Sequence, residues 1–88
     1  MKNKNYDFVD YGFKFRVIDS DYDFIHAKSL PYKYNRNNWQ RALKYKEENE
    51  HDFCYDERDC TGSTCVRIEL KVKRNGVLYV YYYWNKDV

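Results

Sequence analysis

The sequence predicts an α+β fold, in which a small antiparallel sheet with a C-terminal β-hairpin packs on one α-helix. Three segments support this prediction: residues 66–84 and 11–18 alternate in polarity as strands do, and residues 38–49 have helical spacing. The chain has 88 residues, of which 20% are aromatic and 34% are charged. This length suits a single domain, residues 1–88, and the aromatic content is too high for a disordered chain.

The first predicted strand covers residues 11–18, YGFKFRVI, in which aromatic and branched residues occupy every second position. This period, in residues that favour extended backbone, is typical of a strand. The Asp-rich residues 19–23 predict a turn. Residues 24–30 fit a short strand or a helical turn that ends before Pro31, and residues 32–38 predict a loop.

Residues 38–49, NWQRALKYKEEN, predict the helix. Asn38 is a candidate N-cap residue, because its side chain can accept a hydrogen bond from the first turn. A short apolar stripe is formed by Trp39, Ala42 and Leu43. The acidic end of the segment is unusual, since the C-terminal end of a helix dipole favours cations. Either the helix ends near Lys46 or these acids have another purpose: Glu47, Glu48 and Glu50.

The C-terminal hairpin is predicted from a run of alternating residues, 66–73, that precedes an Asn75-Gly76 pair. This pair favours a two-residue type I′ turn, because both residues tolerate positive φ angles. Such a turn would pair Val72 with Tyr79 on the face that packs against the helix. The further pairs on this face would be Leu70 with Tyr81 and Ile68 with Tyr83.

The second face of the predicted hairpin pairs a charged strand with an apolar one and has two interpretations. In the first, lysine stems cover the apolar strand and Arg67 stacks on Trp84, as in ordinary packing. In the second, this face binds a partner, because interfaces are enriched in Tyr, Trp and Arg. The candidate partner-binding residues are Arg67, Lys71, Lys73, Leu78, Val80, Tyr82 and Trp84.

Charge is unevenly distributed along a chain whose net charge is +2. Residues 1–46 carry ten basic and five acidic residues, whereas residues 47–59 carry seven acids and one Arg. The acidic block consists of Glu47, Glu48, Glu50, Asp52, Asp56, Glu57 and Asp59. It fits a solvated loop, or a carboxylate row that imitates nucleic-acid phosphates for a basic partner. Because it interrupts the basic residues, the pattern does not favour a dedicated nucleic-acid-binding protein.

Candidate reactive residues are few. His51, Cys54, Cys60 and Cys65 are zinc-ligand types, but their spacing does not match the usual ligand pairs. A disulfide between Cys60 and Cys65, or three ordinary cysteines, are the other interpretations. A nucleophilic Cys–His pair would need His26 or His51. Since no calcium loop or glycine-rich phosphate loop is present either, we expect no metal, no cofactor and no enzymatic activity.

The chain has no run of 18 apolar residues, and its first ten residues lack the apolar stretch of a signal peptide. No internal repeat or low-complexity segment is present. We therefore expect a cytoplasmic protein without a membrane partner.

The last strands resemble those of RelE/ParE-type toxins. The resemblance lies in residues 66–88, VRIELKVKRNGVLYVYYYWNKDV, because that family ends in a hairpin and a basic tail. It implies an RNase in which four residues contact phosphate or transfer protons: Arg67, Lys71, Tyr83 and Lys86. Trp84 and Asn85 stand where the family's tail has His and Arg, and its two opening helices are not readable here. These departures remove groups that an RNase would use.

The chain is also rich in Lys, Asn and Tyr, and it combines one helix, a tyrosine-rich hairpin and an acidic block. This general build resembles small phage-encoded inhibitors of host defence, including anti-CRISPR proteins. The resemblance implies a stoichiometric protein that binds a host nuclease, such as a CRISPR nuclease, in the host cytoplasm. Such a protein blocks nucleic-acid loading, target binding or cleavage. Anti-CRISPR proteins share no common fold, so no functional residue is transferred from them.

We therefore predict a small non-enzymatic protein-binding module, of the phage-inhibitor type, that binds a host protein through the second face of the hairpin. The alternative is a single-stranded nucleic-acid-binding protein, because aromatic residues flanked by Lys and Arg provide stacking and phosphate contacts. The protein would be a monomer, or a homodimer formed by strand addition at the exposed hairpin edge.

Overall fold

The computed structural model describes residues 5–50 and 63–87 of the chain. These residues form one helix and a six-stranded antiparallel sheet. The predicted α+β class and the C-terminal hairpin packed on the helix are therefore confirmed. The strands are β1 (Phe8–Asp10), β2 (Phe13–Asp21), β3 (Phe24–Ser29), β4 (Tyr32–Lys33), β5 (Ser63–Val72) and β6 (Val77–Asp87), and the helix is α1 (Arg36–Asn49).

Strand β6 lies in the centre of this sheet. Strands β1, β2 and β3 form an antiparallel meander, and β3 pairs with one edge of β6. Beyond Pro31, the short strand β4 continues along the same edge of β6. Strand β5 pairs with the opposite edge of β6 over the full length of β5. The last described strand therefore joins the two halves of the sheet.

The first hairpin turns at Tyr11 and Gly12, whose φ angles are 52° and 82°. Two successive positive φ angles between paired strands form a type I′ turn. The strand predicted at residues 11–18 therefore begins two residues later, at Phe13. Tyr11 belongs to the turn, where few residues with a side chain adopt this backbone conformation.

Strand β2 continues through most of the segment predicted to be a turn, residues 19–23. A register shift around Ile18 allows the rest of β2 to keep pairing with β3. The turn is confined to Tyr22 and Asp23. Of the two alternatives for residues 24–30, the strand is correct.

Helix α1 begins at Arg36, earlier than predicted. Asn35 has extended backbone, and its side-chain oxygen accepts a hydrogen bond from the Asn38 amide at 2.8 Å. Asn38 is therefore not the N-cap residue, and its own side chain donates to the Lys33 carbonyl at 2.8 Å. The predicted N-cap residue is wrong because Asn35, Asn37 and Asn38 all suit an N-cap, and the sequence does not distinguish them. The predicted loop at residues 32–38 thus contains β4 and the first turn of the helix.

The helix continues to Asn49, and its acidic end has a structural role. The Glu50 amide donates to the Lys46 carbonyl at 3.0 Å, and the two side chains form a salt bridge at 2.9 Å. The Glu50 carboxylate also accepts a hydrogen bond from the Ile68 amide of β5 at 3.1 Å, while Lys46 Nζ donates to the Ile68 carbonyl at 2.8 Å. We call this pair the Lys46–Glu50 clamp. The helix therefore does not end near Lys46, and Glu50 has the other kind of role that the sequence analysis allowed for these acids.

The β5–β6 hairpin has a three-residue loop, residues 74–76, instead of the predicted two-residue turn. The Lys73 amide donates to the Val77 carbonyl at 2.8 Å, which closes the loop one residue earlier than a two-residue turn would. Within the loop, the positive φ angle is at Gly76, at 82°, and not at Asn75. A type I turn followed by a left-handed glycine is the common three-residue hairpin loop.

The predicted register of the hairpin is therefore wrong by one residue. Val72 pairs with Leu78, where the prediction paired it with Tyr79. A slip of one residue moves every side chain of a strand to the other face of the sheet. The helix-facing side chains of β6 are Leu78, Val80, Tyr82 and Trp84.

The core lies between this face of the sheet and α1. Its buried residues are Phe13, Phe15, Ala27, Ala42, Tyr45, Val66, Ile68, Leu78 and Val80. Half-buried residues packed against them include Phe8, Tyr32, Trp39, Leu70, Tyr82 and Trp84. Leu43 of the predicted helix stripe is 42% exposed, and Tyr45 is buried instead. Each fully buried large apolar side chain contributes about 1.5–3 kcal/mol, so this face is committed to folding.

Candidate functional site

The face of the sheet that points away from α1 carries aromatic and basic side chains from four strands. We call it the open face, because in the described part of the chain no helix lies on it. Its basic residues outnumber its acidic ones. On β2, β3, β5 and β6 and at the end of β5, the open face comprises Lys14, Arg16, Asp19, Asp21, Phe24, His26, Lys28, Cys65, Arg67, Glu69, Lys71, Lys73, Tyr79, Tyr81, Tyr83 and Asn85.

Strand register brings these residues together. Arg16 of β2 pairs with Lys28 of β3. Lys28 pairs in turn with Tyr81 of β6, and Tyr81 pairs with Glu69 of β5. Directly paired residues lie about 4.5–5.5 Å apart, so their side chains are in reach of each other. The next row across the same four strands consists of Asp19, His26, Tyr83 and Arg67.

Alternate residues of β6 place three tyrosines along the middle of the open face. We call Tyr79, Tyr81 and Tyr83 the tyrosine row. All three are half-buried. The rings of Tyr81 and Tyr83 are nearly parallel, with an interplanar angle of 10° and a centroid distance of 6.4 Å. A half-buried ring in the central strand is held in position and still presents part of its surface.

Lysines stand on both sides of the tyrosine row. From β3, Lys28 Nζ lies 4.5 Å from the ring centroid of Tyr79 and 5.8 Å from that of Tyr81. From β5, Lys71 Nζ lies 5.8 Å from the Tyr81 centroid, and beyond that strand Lys73 Nζ lies 5.9 Å from the Tyr79 centroid. These are cation–π distances, and the ammonium groups remain within reach of solvent.

The far end of the tyrosine row is fixed by two side-chain contacts. The His26 ring meets the Tyr83 ring edge-on, with centroids 4.9 Å apart. The Tyr83 hydroxyl donates a long hydrogen bond of 3.4 Å to Glu69 Oε1. Partial burial, together with the Glu69 carboxylate, raises the pKa of Tyr83 above its ordinary value. Tyr83 therefore remains a neutral hydrogen-bond donor near neutral pH.

Two shallow basic cavities flank Tyr79. One, of about 470 Å³, is lined by the loop residues Lys73 and Arg74. The other, of about 480 Å³, is lined by Arg16 and Lys28 and has apolar walls. The near end of the tyrosine row thus lies between two positively charged depressions.

The structure divides the predicted partner-binding residues between two faces. Arg67, Lys71 and Lys73 belong to the open face. Leu78 and Val80 are fully buried, and Tyr82 and Trp84 pack against the core. The prediction that all seven share one surface is therefore wrong, because it depended on the slipped register.

Sequence reasoning missed the residues that now accompany the three predicted cations. The predicted register places Tyr79, Tyr81 and Tyr83 on the core face, and no local pattern marks Arg16 and Lys28 as members of a site. A signal for the correct register was present, because an Asn-Gly pair also fits a three-residue loop with Gly in the left-handed position. Only the length of the loop distinguishes the two registers.

The acidic block does not belong to the open face where the structure describes it. Glu47 and Glu48 are exposed on α1, which packs on the other side of the sheet. Glu48 accepts a hydrogen bond from the Tyr11 hydroxyl, and Glu50 belongs to the Lys46–Glu50 clamp. The remaining acids of the block lie outside the described residues: Asp52, Asp56, Glu57 and Asp59.

The other candidate sites are not assembled by the described residues. Among them, no group of three His, Cys, Asp or Glu residues could hold a metal ion. Cys65 is half-buried, and its predicted partners lie outside the described ranges: His51, Cys54 and Cys60. Of the four residues implied by the toxin resemblance, three share the open face. Lys86 alternates to the opposite face from Tyr83, so the four do not form one site.

Comparison with known proteins finds no family model, no curated protein and no solved structure that matches this chain. In residues 5–50 and 63–87, no helix is long and apolar enough to cross a membrane.

Proposed function

We propose that this protein binds single-stranded nucleic acid through the open face, without an enzymatic step. The observation that carries the proposal is the placement of the tyrosine row between Lys28 on one side and Lys71 and Lys73 on the other. Aromatic rings between cations are the combination with which proteins hold a single strand, since bases stack on the rings and phosphates meet the cations.

The position of the described acidic residues of α1 supports this proposal. In the sequence the acidic block argued against nucleic acid, because carboxylates repel phosphates. In the described part of the fold, Glu47 and Glu48 lie on α1, behind the sheet. The open face itself keeps six basic residues against three acidic ones, Asp19, Asp21 and Glu69.

The composition of the open face favours a nucleic acid over a protein partner. Lysine is depleted in the centres of protein–protein interfaces, where Tyr, Trp and Arg are enriched. Here Lys28, Lys71 and Lys73 stand around the tyrosines themselves. Duplex DNA is a poorer ligand than a single strand, because its bases are already stacked and only its phosphates could reach this face.

The predicted inhibitor of a host nuclease is the second candidate function. Its specific support is Ile18, which is 58% exposed and lines the cavity beside Tyr79 together with Lys28, and which a protein partner would cover. An affinity pull-down from host lysate with and without nuclease treatment tests it. A stoichiometric host nuclease retained after nuclease treatment, and lost in Ile18→Asp, supports it. Retention by Ile18→Asp removes this support.

Fluorescence anisotropy with a labelled single strand of about 20 nucleotides tests the nucleic-acid proposal, with the matching duplex and heparin as competitors. We expect single-stranded DNA or RNA to bind. The affinity should fall steeply as the salt concentration rises, because basic side chains that bind phosphates release the counterions of the nucleic acid. The duplex and heparin should compete weakly, because neither offers free bases.

Matched variants locate the surface. Lys28→Gln and Lys71→Gln each remove one charge from the open face and should weaken binding and flatten the salt dependence. Lys44→Gln removes the same charge from the exposed side of α1 and should leave binding unchanged. Equal effects of all three variants, or equal affinity for heparin and the single strand, would show a general attraction to polyanions and contradict the proposal.

A further inference from the structure

We infer that the tyrosine row holds an extended strand with one unstacked base on each ring, so that the protein prefers weakly stacking, pyrimidine-rich single strands. This inference rests on the proposed function and specifies its ligand.

The spacing of the rings is the first step. Alternate residues of a strand lie about 6.6–6.8 Å apart, twice the rise per residue. The observed distance between the Tyr81 and Tyr83 ring centroids is 6.4 Å. Successive nucleotides in a helical strand rise by about 3.4 Å. Two bases on neighbouring tyrosines are therefore about twice as far apart as stacked bases, and they cannot stack on each other.

The rigidity of the row is the second step. Residues 81–83 of β6 pair with β3 on one edge and with β5 on the other. The Tyr81 and Tyr83 rings are aligned within 10°, and His26 abuts Tyr83 edge-on. Because the backbone is held on both sides, the rings cannot approach each other to match a stacked strand. The strand must extend to match the protein.

Selectivity is the third step. Each bound base exchanges stacking on its neighbour for stacking on a tyrosine. The gain on the ring is similar for all bases, since every base has a π face. The base–base stacking energy that is lost on binding differs, because neighbouring adenines stack strongly on each other and neighbouring thymines stack weakly. The net affinity therefore favours pyrimidine runs, without any hydrogen-bond recognition of base edges.

The lysines are placed for such a strand. Lys28 Nζ stands over the Tyr79 ring at 4.5 Å, where a stacked base would lie. A lysine ammonium on a flexible stem moves aside at small cost, and the phosphate next to the bound base gives it a new partner. On the β5 side of the tyrosine row, Lys71 can move from the Tyr81 ring to a phosphate in the same way.

The test uses three labelled strands of equal length, about 12 nucleotides, in anisotropy titrations at one salt concentration. They are oligothymidylate, oligoadenylate and an abasic strand with the same phosphates. We expect oligothymidylate to bind at least about fivefold more tightly than oligoadenylate, and the abasic strand to bind most weakly. Tyr81→Leu should remove most of the difference between oligothymidylate and the abasic strand. Tyr22→Leu, in the exposed β2–β3 turn, should leave it unchanged.

The outcomes separate this inference from the proposed function. Oligoadenylate that binds as tightly as oligothymidylate overturns the inference and leaves nucleic-acid binding in place. Equal binding of the abasic strand overturns it too, since the bases then contribute nothing. No binding of any strand by the folded protein overturns both. Thermal unfolding of Tyr81→Leu, followed by circular dichroism, establishes that a change in binding is not a loss of fold.

Discussion

At the scale of single residues, the core contains one polar atom at odds with its surroundings. Tyr45 is fully buried between α1 and the sheet, with its ring 5.8 Å from that of Phe15. Its hydroxyl has no hydrogen-bond partner among the described residues. Burial, together with the nearby Asp10 carboxylate, raises the pKa of Tyr45 above its ordinary value, so the group stays neutral. An unpaired buried hydroxyl costs about 1–3 kcal/mol.

Tyr45→Phe should therefore increase the free energy of unfolding, by about 1 kcal/mol, because it keeps the ring and removes the unpaired hydroxyl. Urea denaturation of the two proteins measures the difference. Tyr11→Phe is the control, since its hydroxyl donates to Glu48 and its loss should not stabilise. A destabilised Tyr45→Phe would show that the hydroxyl is paired, with the nearby Asp10 carboxylate as the first candidate partner.

At the scale of elements, loop geometry decided which side of the sheet became the candidate site. Polarity alternation identified β5 and the helix spacing identified α1, because local pattern determines an element's type. The same alternation is compatible with two registers of β6, and Asn75-Gly76 suits both loop types. Elements without a strong pattern, such as β1 and β4, depend on pairing partners distant in the chain, and no local signal predicted them.

The loop makes a direct prediction. Gly76 has a φ angle of 82° with open space around its Cα, so Gly76→Ala should cost about 1 kcal/mol from backbone strain alone. Asn75→Ala should cost less than about 0.5 kcal/mol, because Asn75 does not have a positive φ angle here. Thermal unfolding compares them. Equal costs would indicate the two-residue type I′ turn and the register that follows from it.

The Lys46–Glu50 clamp is an element-scale device on the outer edge of β5. Burial opposes ionisation of Glu50, but the hydrogen bonds from Lys46 and the Ile68 amide outweigh it and lower the pKa of this carboxyl. A lowered folded-state pKa means that the carboxylate contributes stability above its unfolded pKa. That contribution is lost as pH falls through the folded value.

As the pH falls from about 6 to about 3, the free energy of unfolding should decrease more for the unaltered protein than for Glu50→Gln. The difference between the two decreases should be less than about 1 kcal/mol, because the Lys46–Glu50 pair is partly exposed. Urea denaturation at each pH measures it, with Glu47→Gln as the exposed control on the same helix. Identical pH profiles for Glu50→Gln and the unaltered protein would show that the Lys46–Glu50 clamp does not contribute to stability.

Glu50→Ala should also free the Ile68 backbone groups for strand addition, so size-exclusion chromatography should show more dimer than for the unaltered protein.

At the scale of the whole molecule, the sheet separates folding from binding. Its helix-facing side carries the core, and its other side carries the tyrosine row and the cations. Tyr81 and Tyr82 are neighbours in the chain and belong to opposite sides. They form a matched pair for testing this division.

Tyr82→Ala should lower the free energy of unfolding by about 2 kcal/mol, because the ring packs against Phe8 and Phe15, and should leave nucleic-acid affinity unchanged. Tyr81→Ala should weaken binding by about 1–3 kcal/mol and cost less stability. Urea denaturation and anisotropy of both variants measure the two quantities. Loss of binding in a folded Tyr82→Ala would place the site on the helix side, as the predicted register did.

The central place of β6 also affects how the chain is made. A ribosome synthesises about 5–20 residues per second, from the N-terminus. Strands β1 to β4 and α1 leave it first, and β5 follows, but the strand that joins them emerges after all of these. Until residues 77–87 are released, β3 and β5 both present unpaired edges. The sheet therefore closes only after β6 has been translated. If translation stalls before β6 is made, the nascent chain exposes aggregation-prone strand edges that chaperones must shield.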